Sequence, residues 1–326
     1  MIFDTFTGTM AVDENTVLVS VQGSAEKFSR QISLGSSGSS VEMQDPSNYS
    51  NNNNYTKETK LMRELICSIC LFYFGLYAPK KVFRPIFGIN MRPIPYQKLS
   101  TGDVVLDLEL NNPLEDSPTI PSNLLFHTSV TVPLIIMVLF TQLVPHPNCP
   151  VKYLDTHSCA CVLLMTIGLT EFTTHMAKMY VGRLRPNFYQ LCQFDTELLE
   201  CTADQKHILE SRSSFPSGHS SISAAGMGVL VFFLVGRVGI GRLARHDNRK
   251  RKFQNPKIYV LLAILPLFWS FFVACSRLVD HWHHPGDIVA GLCLGFLFPP
   301  IVYHLFYPSV LSRQAGVPLN YLASGA

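Results

Sequence analysis

Three short segments of the sequence carry residue types suited to phosphate chemistry. In chain order they are K-x6-RP at 178–186, PSGH at 216–219 and SR-x5-H-x3-D at 276–287. Lysine and arginine bind phosphate oxygens, and arginine can do so through two parallel hydrogen bonds. Histidine transfers protons and acts as a nucleophile near neutral pH. Together the segments predict a site that binds a phosphate group and does acid–base or covalent chemistry on it.

The first segment places Lys178 and Arg185 seven residues apart, which is about two turns of an α-helix. Both side chains share one face if the helix continues past Tyr180, and Pro186 marks its expected end. Arg277, in the third segment, is predicted to join them. Three cations on one surface predict a site for a doubly charged phosphate.

The second segment precedes an apolar run and is typical of a helix start. Proline fits the opening turn, glycine permits close backbone approach, and free N–H groups at a helix N-terminus bind anions. The segment is therefore predicted to offer backbone N–H groups to an anion, with His219 beside them for proton transfer.

The third segment has the spacing of a histidine oriented by a carboxylate. Asp287 follows His283 by four residues, and Pro285 between them suits the first position of a helix. A carboxylate there could accept the imidazole N–H, fix its tautomer and make the other nitrogen more nucleophilic. The segment predicts a nucleophile and its orienting acid.

Each feature also has a structural interpretation. A single Lys178 or Arg277 near a span end is more often an anchor at the membrane interface. PSGH alone could be an ordinary helix start. Residues 280–284, DHWHH, could form an interfacial cluster or a metal site, but no second group of ligands with matching spacing accompanies them. The three segments in combination favour the phosphate site.

The composition places this chemistry in a membrane. The chain of 326 residues is 47% hydrophobic and 15% charged, whereas soluble domains carry about 25% charged residues. Nine cysteines are too sparse for a disulfide scaffold. A nucleic-acid binder, a collagen, a coiled coil and a small secreted protein are excluded.

Six apolar stretches approach the roughly 20 residues that cross a bilayer. They lie at about 65–78, 124–144, 159–180, 220–235, 258–275 and 288–306. The first spans only if its helix continues through Val82 and Phe83 or if its flanking basic side chains snorkel to the interface. The pattern predicts an all-α integral membrane fold, a bundle of six transmembrane helices, over residues 61–306. The Ser- and Asn-rich residues 1–60 are predicted to be a disordered cytoplasmic tail, and residues 307–326 a cytoplasmic C-terminal tail.

The basic residues predict the orientation of the bundle. The loop 237–257 holds eight lysines and arginines against one aspartate, which favours the cytoplasmic side. Both termini are then cytoplasmic, and all three motif segments lie at the extracellular or lumenal face. One group of basic residues disagrees with this assignment, because it would lie on the outer side after the first stretch: Lys80, Lys81 and Arg84. The loop 237–257 is the larger basic cluster and decides the predicted orientation.

The three segments, in this order and on this topology, resemble the signature of the type 2 phosphatidate phosphatase superfamily, and most closely its six-span lipid phosphate phosphatases. The resemblance covers about residues 61–306. It implies that His283 is a nucleophile that forms a phosphohistidine, that Asp287 orients it, and that His219 protonates the leaving alkoxide. It further implies catalysis without a metal or other cofactor, and a phosphate-binding set made of Lys178, Arg185, Arg277, Ser217 and Gly218.

The resemblance implies hydrolysis of phosphate monoesters of lipids in the bilayer. The implied substrates are phosphatidate, lysophosphatidate, sphingoid phosphates and diacylglycerol pyrophosphate, in the plasma membrane or an endomembrane of the endoplasmic reticulum or Golgi. Two alternatives stay open: a polyprenyl-diphosphate phosphatase or phosphotransferase of the same superfamily, and a non-catalytic membrane scaffold. No nucleic-acid partner is expected, and homo-oligomerisation is left open.

Three further pairs carry expectations of their own. Glu171 and His175 share the Lys178 side of the third stretch and should face the bundle interior. Cys192 and Cys201 could form a disulfide in the outer loop. Gly291 and Gly295 should let the sixth helix pack closely against a neighbour.

Overall fold

The computed structural model contains six helical segments long and apolar enough to cross a membrane, which confirms the predicted all-α membrane bundle. It describes residues 8–13, 16–23, 26–33, 46–115, 117–144, 146, 148–239 and 256–323. The segments, called the first to sixth spans, are Glu58–Phe87, Ser122–Leu143, Lys152–Val181, Gly218–Val238, Ile258–Val279 and Pro285–Phe306. Most of the basic loop, residues 240–255, lies outside the described residues.

The chain divides into two compact units, Met1–Thr59 and Lys60–Ala326. The first contains an antiparallel sheet of order β1-β2-β3, formed by Gly8–Asp13, Thr16–Gly23 and Glu26–Ser33. This sheet differs from the disordered tail expected for residues 1–60. The expectation rested on the Ser- and Asn-rich stretches, whereas β2 has the sequence TVLVSVQG, rich in β-branched residue types that favour strands.

Twelve helices, two short hairpins and three single helical turns make up the rest of the described chain. The turns are π-helical at Pro79–Phe83 and His127–Thr131 and 3₁₀ at Leu108–Leu110. The helices are α1 (Pro46–Ala78), α2 (Arg84–Phe87), α3 (Ser122–Phe126), α4 (Val132–Leu143), α5 (Lys152–Val181), α6 (Phe188–Cys192), α7 (Gln205–Ser211), α8 (Gly218–Val238), α9 (Pro256–Ile264), α10 (Pro266–Val279), α11 (Pro285–Phe306) and α12 (Leu319–Leu322). The hairpins pair β4 (Tyr96–Lys98) with β5 (Val104–Leu106), and β6 (Phe194–Asp195) with β7 (Glu200–Cys201). The disulfide considered for Cys192 and Cys201 is present.

The first span is longer than its apolar stretch because the helix continues beyond Pro79. Proline lacks an N–H and crowds the preceding turn. A π-helical turn at Pro79–Phe83 accommodates it, with the Arg84 N–H bonded to the Pro79 carbonyl. The helix therefore runs through Val82 and Phe83 to Phe87, which is one of the two ways in which the sequence allows a full crossing.

The third and fourth spans form the centre of the bundle, since more of their residues are buried than in any other span. The sixth span packs closely on the fourth, as its two glycines predict. A Cβ on Gly291 would lie 2.5 Å from the Ser217 carbonyl oxygen, and one on Gly295 would overlap that of Ser221. Only glycine permits this approach, which brings the PSGH segment against the start of the sixth span.

The end of the bundle opposite the motif segments is held by a buried ion pair. Arg237 bonds to Asp155, and the Tyr307 hydroxyl donates to Asp155 Oδ1 at 3.0 Å. Both charged residues are almost fully buried, which their pairing permits. Ala315 and Val317 beyond them are also buried, so the segment expected as a C-terminal tail packs on the bundle.

Candidate active site

Six of the eight predicted site residues line one cavity of about 870 Å³ at a single end of the bundle, whereas Ser217 and Asp287 do not line it. Lys178 is in the last turn of the third span, Gly218 opens the fourth, and Arg277 is in the last turn of the fifth. The other cavity residues come from the first four spans and from the loops at this end of the bundle. The cavity residues from the three motif segments are Lys178, Met179, Arg185, Gly218, His219, Arg277, Trp282 and His283.

The helix that carries Lys178 ends earlier than predicted. It stops at Val181, and Gly182 caps it in the left-handed conformation with φ 55°. A Cβ on Gly182 would overlap the Asn90 carbonyl oxygen, which further restricts this position to glycine. The prediction of one continuous helix face was therefore wrong, although Lys178 and Arg185 still reach the same cavity because the chain turns back.

Lys178 and Arg185 are buried and held largely by backbone carbonyls. Lys178 Nζ donates to the Ser213 carbonyl at 2.5 Å. Arg185 donates from Nε to the Glu210 carbonyl at 2.8 Å and from Nη1 to the Trp282 carbonyl at 3.2 Å. Its guanidinium lies 4.7 Å from the centre of the Trp282 ring, a cation–π distance. Both cations are thus positioned before any ligand arrives.

Arg277 is positioned by a second acid. Its Nη2 atom donates to Asp280 Oδ2 at 2.6 Å, and both side chains are buried. Asp280 in turn accepts from the Thr119 N–H at 2.9 Å and from the Thr119 hydroxyl at 2.6 Å. The loop between the first two spans therefore supports the site, which no motif in that loop indicated.

The PSGH segment forms the helix start that its sequence predicts. Ser217 is the N-cap of the fourth span and is fully buried. Gly218 is the first helical residue and lines the cavity beside Lys178 and Thr174. The first N–H groups of a helix have no intrahelical acceptor, and this N-terminus opens into the cationic cavity.

His219 follows on the first turn and also faces the cavity. Its Nε2 atom lies 3.2 Å from the Ile120 carbonyl oxygen. A carbonyl can only accept, so this contact requires the proton on Nε2. Within the described residues Nδ1 makes no hydrogen bond.

His283 is buried, and its Nδ1 atom lies 3.8 Å from Asp287 Oδ2. This is an ion-pair distance and too long for the hydrogen bond expected from the spacing. His284 is closer, with Nδ1 at 3.2 Å from the same oxygen and its N–H at 3.0 Å. The backbone contact caps the sixth span, and this cap draws Asp287 toward His284.

Asp287 is fully buried and has two partners that were not predicted from the sequence. Arg183 Nη1 donates to Oδ1 at 2.8 Å, and the Ser214 hydroxyl donates to Oδ2 at 2.5 Å. Arg183 is one of the six residues between Lys178 and Arg185 in K-x6-RP, so its position within the motif could have indicated that it lies at the site. Ser214 precedes PSGH in a serine-rich stretch and carried no distinct signal.

The protonation states outside the spans favour a neutral His283 and an ionised Glu210. Burial lowers the pKa of His283 well below 6.5, and the charges of Arg185 and Lys178 lower it further, while Asp287 opposes them. Arg185 lowers the pKa of Glu210 to about 2. Glu210 bonds through its carboxylate to Arg185 Nη2, a contact that sequence reasoning did not predict.

The polar pair predicted in the third span also lines the cavity. His175 Nε2 lies 3.3 Å from Glu171 Oε2, and both residues line the cavity together with apolar side chains of the first, second and fourth spans. Within the described part of the chain, no group of three or more His, Cys, Asp or Glu side chains could hold a metal ion.

Comparison with known proteins identifies the family. The PAP2 superfamily model matches residues 159–310. Lipid phosphate phosphatase 1 and lipid phosphate phosphatase 2 of Arabidopsis thaliana are each 30% identical, over 72% and 70% of this chain and 68% and 74% of their own lengths. Diacylglycerol pyrophosphate phosphatase 1 of Saccharomyces cerevisiae is 27% identical over 67% of this chain and 75% of its own length. No solved structure matches. With its motif residues gathered in one cavity and relatives that align over most of its length, the chain belongs to the PAP2 superfamily.

Proposed function

We propose that this membrane protein is a lipid phosphate phosphatase that works through a phosphohistidine on His283. The observation that carries the proposal is the single cavity in which His283 and His219 meet three cations and a helix N-terminus. The relatives named for hydrolysis of lipid phosphates and of diacylglycerol pyrophosphate support the substrate class. Monoesters of lipids, with the terminal phosphate of a pyrophosphate lipid, are the substrates that we infer.

The cationic wall of the cavity would bind the phosphoryl oxygens. Lys178, Arg185 and Arg277 supply three positive charges, and the N-terminus near Ser217 and Gly218 supplies N–H donors. As the oxygens gain charge in the transition state, donors already in place stabilise it without reorganisation. Charge stabilisation by this set makes a divalent ion unnecessary in the proposed mechanism.

The histidines would divide the reaction into two steps. His283 Nε2 attacks phosphorus because Nδ1 faces Asp287. The phosphorus–oxygen bond to the lipid breaks, and a protonated His219 gives its proton to the leaving alkoxide. Water then attacks the phosphohistidine, giving its proton to His219 and releasing inorganic phosphate. Asp287 stabilises the positive charge on His283 as the 3.8 Å separation between them closes to a hydrogen bond.

The cavity also has walls suited to a lipid. It extends from the cations to apolar side chains of three spans, including Leu76, Phe126 and Ile222. A headgroup bound at the cations would leave its glycerol and acyl chains among these apolar side chains, which supports a lipid over a soluble phosphate ester.

We further propose that the site faces the lumen or the cell exterior, because the basic loop at 237–257 favours the cytoplasm. A Gln205→Cys variant in a background without other exposed cysteines should then react with an impermeant maleimide on the outer or lumenal side of sealed vesicles. Vesicles of known orientation are the control. Labelling of Gln205→Cys from the cytoplasmic side alone would show that the protein has the opposite orientation.

Substitution of the two adjacent histidines, His283 and His284, should have clearly different effects on activity. His283→Ala removes the nucleophile, so kcat should fall by about a thousandfold or more. His284→Ala should retain about a third of wild-type activity or more, because its backbone N–H still caps Asp287. Phosphate release from phosphatidate by purified protein measures both. An inactive His284→Ala beside an active His283→Ala would show that the nucleophile is not His283.

The acidic limb of kcat/KM should lie below pH 6.5. The lowered pKa of His283 keeps the imidazole neutral and nucleophilic down to that pKa, and activity is lost only as pH falls through it. Rates are measured from about pH 4.5 to 8 with two substrates whose phosphate pKa values differ, since a limb set by the enzyme does not move with substrate. A limb above 6.5 common to both substrates would contradict this assignment.

Catalysis should persist in excess EDTA and be blocked by vanadate. Vanadate adopts the five-coordinate geometry of phosphoryl transfer, so it should bind more tightly than inorganic phosphate. Hydrolysis of phosphatidate is measured with EDTA, with vanadate and with neither. Loss of activity in EDTA that magnesium or zinc restores would replace the histidine mechanism with a metal-dependent one.

A further inference from the structure

We propose that Glu210 is a resident counter-anion of Arg185 that the phosphate must displace, and that Arg84 receives the Glu210 carboxylate while phosphate is bound. The inference rests on the proposed function, since it concerns the same phosphate site. It assigns roles to two residues outside the three motif segments, one at the end of α7 and one after the π-helical turn of the first span.

Arg185 is held firmly by contacts other than the Glu210 carboxylate. Two of its five N–H groups donate to the backbone carbonyls of Glu210 and Trp282, and its plane stacks on the Trp282 ring. A third, on Nη2, donates to the Glu210 carboxylate. One N–H is left on each Nη atom, so a phosphate that used both would lie directly against a negative carboxylate. Binding therefore favours departure of the carboxylate while the guanidinium stays in place.

The Glu210 carboxylate is free to leave, in contrast with the acid on the neighbouring arginine. The Glu210 side chain is 44% exposed, and within the described residues Arg185 is the sole hydrogen-bond partner of its carboxylate. The Asp280 side chain is 4% exposed and accepts two hydrogen bonds from Thr119 in addition to its contact with Arg277. Asp280 is therefore a fixed support, and Glu210 is the exchangeable anion of the site.

Arg84 is suited to receive the displaced carboxylate. It lines the same cavity, and within the described residues its side chain makes no hydrogen bond or ion pair. Its charge acts on Glu210, where it adds to the lowering of the pKa by Arg185. Arg185 is the main cause of that lowering, so the charge of Arg84 is what would help to keep Glu210 ionised once it has moved, and a cation nearby lowers the cost of the move.

The exchange has a defined thermodynamic signature. If the site accepts oxyanions only when Glu210 has moved, every oxyanion binds more weakly by one common factor, the fraction of molecules in the open state. The same factor weakens retention of the inorganic phosphate product. Glu210 thus reduces product inhibition at the expense of substrate affinity.

Titration calorimetry of vanadate and of inorganic phosphate, with the purified full-length protein, tests the proposal without turnover. Glu210→Gln should lower the Kd of both anions by the same factor, about three- to tenfold. Arg84→Gln should raise both Kd values by about two- to fivefold, because Glu210 then stays on Arg185. In the Glu210→Gln background, Arg84→Gln should have no further effect.

Two exposed residues provide matched controls. Glu200→Gln removes an acid of the same outer loop, and Lys81→Gln removes a cation that does not line the cavity; neither should change the Kd of phosphate. Unchanged or weaker anion binding in Glu210→Gln would overturn the proposal. Equal weakening by Arg84→Gln in both backgrounds would also overturn it, since Arg84 would then bind the anion directly. Lipid hydrolysis by the wild-type protein is measured separately, so that failure of the proposed function is seen independently.

Discussion

The buried carboxylate of Asp287 is the constraint on which the geometry of the site depends. An ionised carboxylate is stable away from water only when its oxygens are paired. Its partners come from all three regions of the signature: Arg183 from the first, Ser214 from the approach to the second, and His284 from the third. The Ser217 N–H also donates to the Asp287 carbonyl at 2.9 Å. Pairing one charge therefore brings distant segments together at one end of the bundle.

The cations around Asp287 raise the opposite problem. A buried cation that is proposed to bind phosphate needs another polar or negative partner until the phosphate arrives. Each of the three cations has a different kind of partner. Lys178 uses a backbone carbonyl, Arg277 uses a buried acid with supports of its own, and Arg185 uses the half-exposed Glu210. The first two arrangements fix a donor in place. In the exchange that we propose, the third also places an anion in competition with the phosphate, which would link the charge balance of the cavity to ligand affinity.

The close contact of the fourth and sixth spans connects the bundle to the site. Gly291 and Gly295 let the backbone of the fourth span approach, and that approach sets PSGH beside the start of the sixth span. The first span reaches the site through a different local feature, the π-helical turn at Pro79–Phe83. Lys80 lies within this turn and Arg84 comes directly after it, and both line the cavity. Their position explains why basic residues occur at a span end where the charge rule did not expect them.

The amino-acid sequence was enough to predict the six spans, because each depends on a local apolar run whose length must match the bilayer. It also predicted the close packing at two glycines, which depends on residue type and spacing, and the same features singled out the motif residues that we propose for the site. The end of the Lys178 helix was misplaced, since Gly182 turns the chain before Pro186. Nothing in the sequence indicated that Glu210 would pair with Arg185 or that His284 would lie closer to Asp287 than His283 does. Those contacts arise only in the folded chain, because side chains far apart in sequence compete there for the same buried charges.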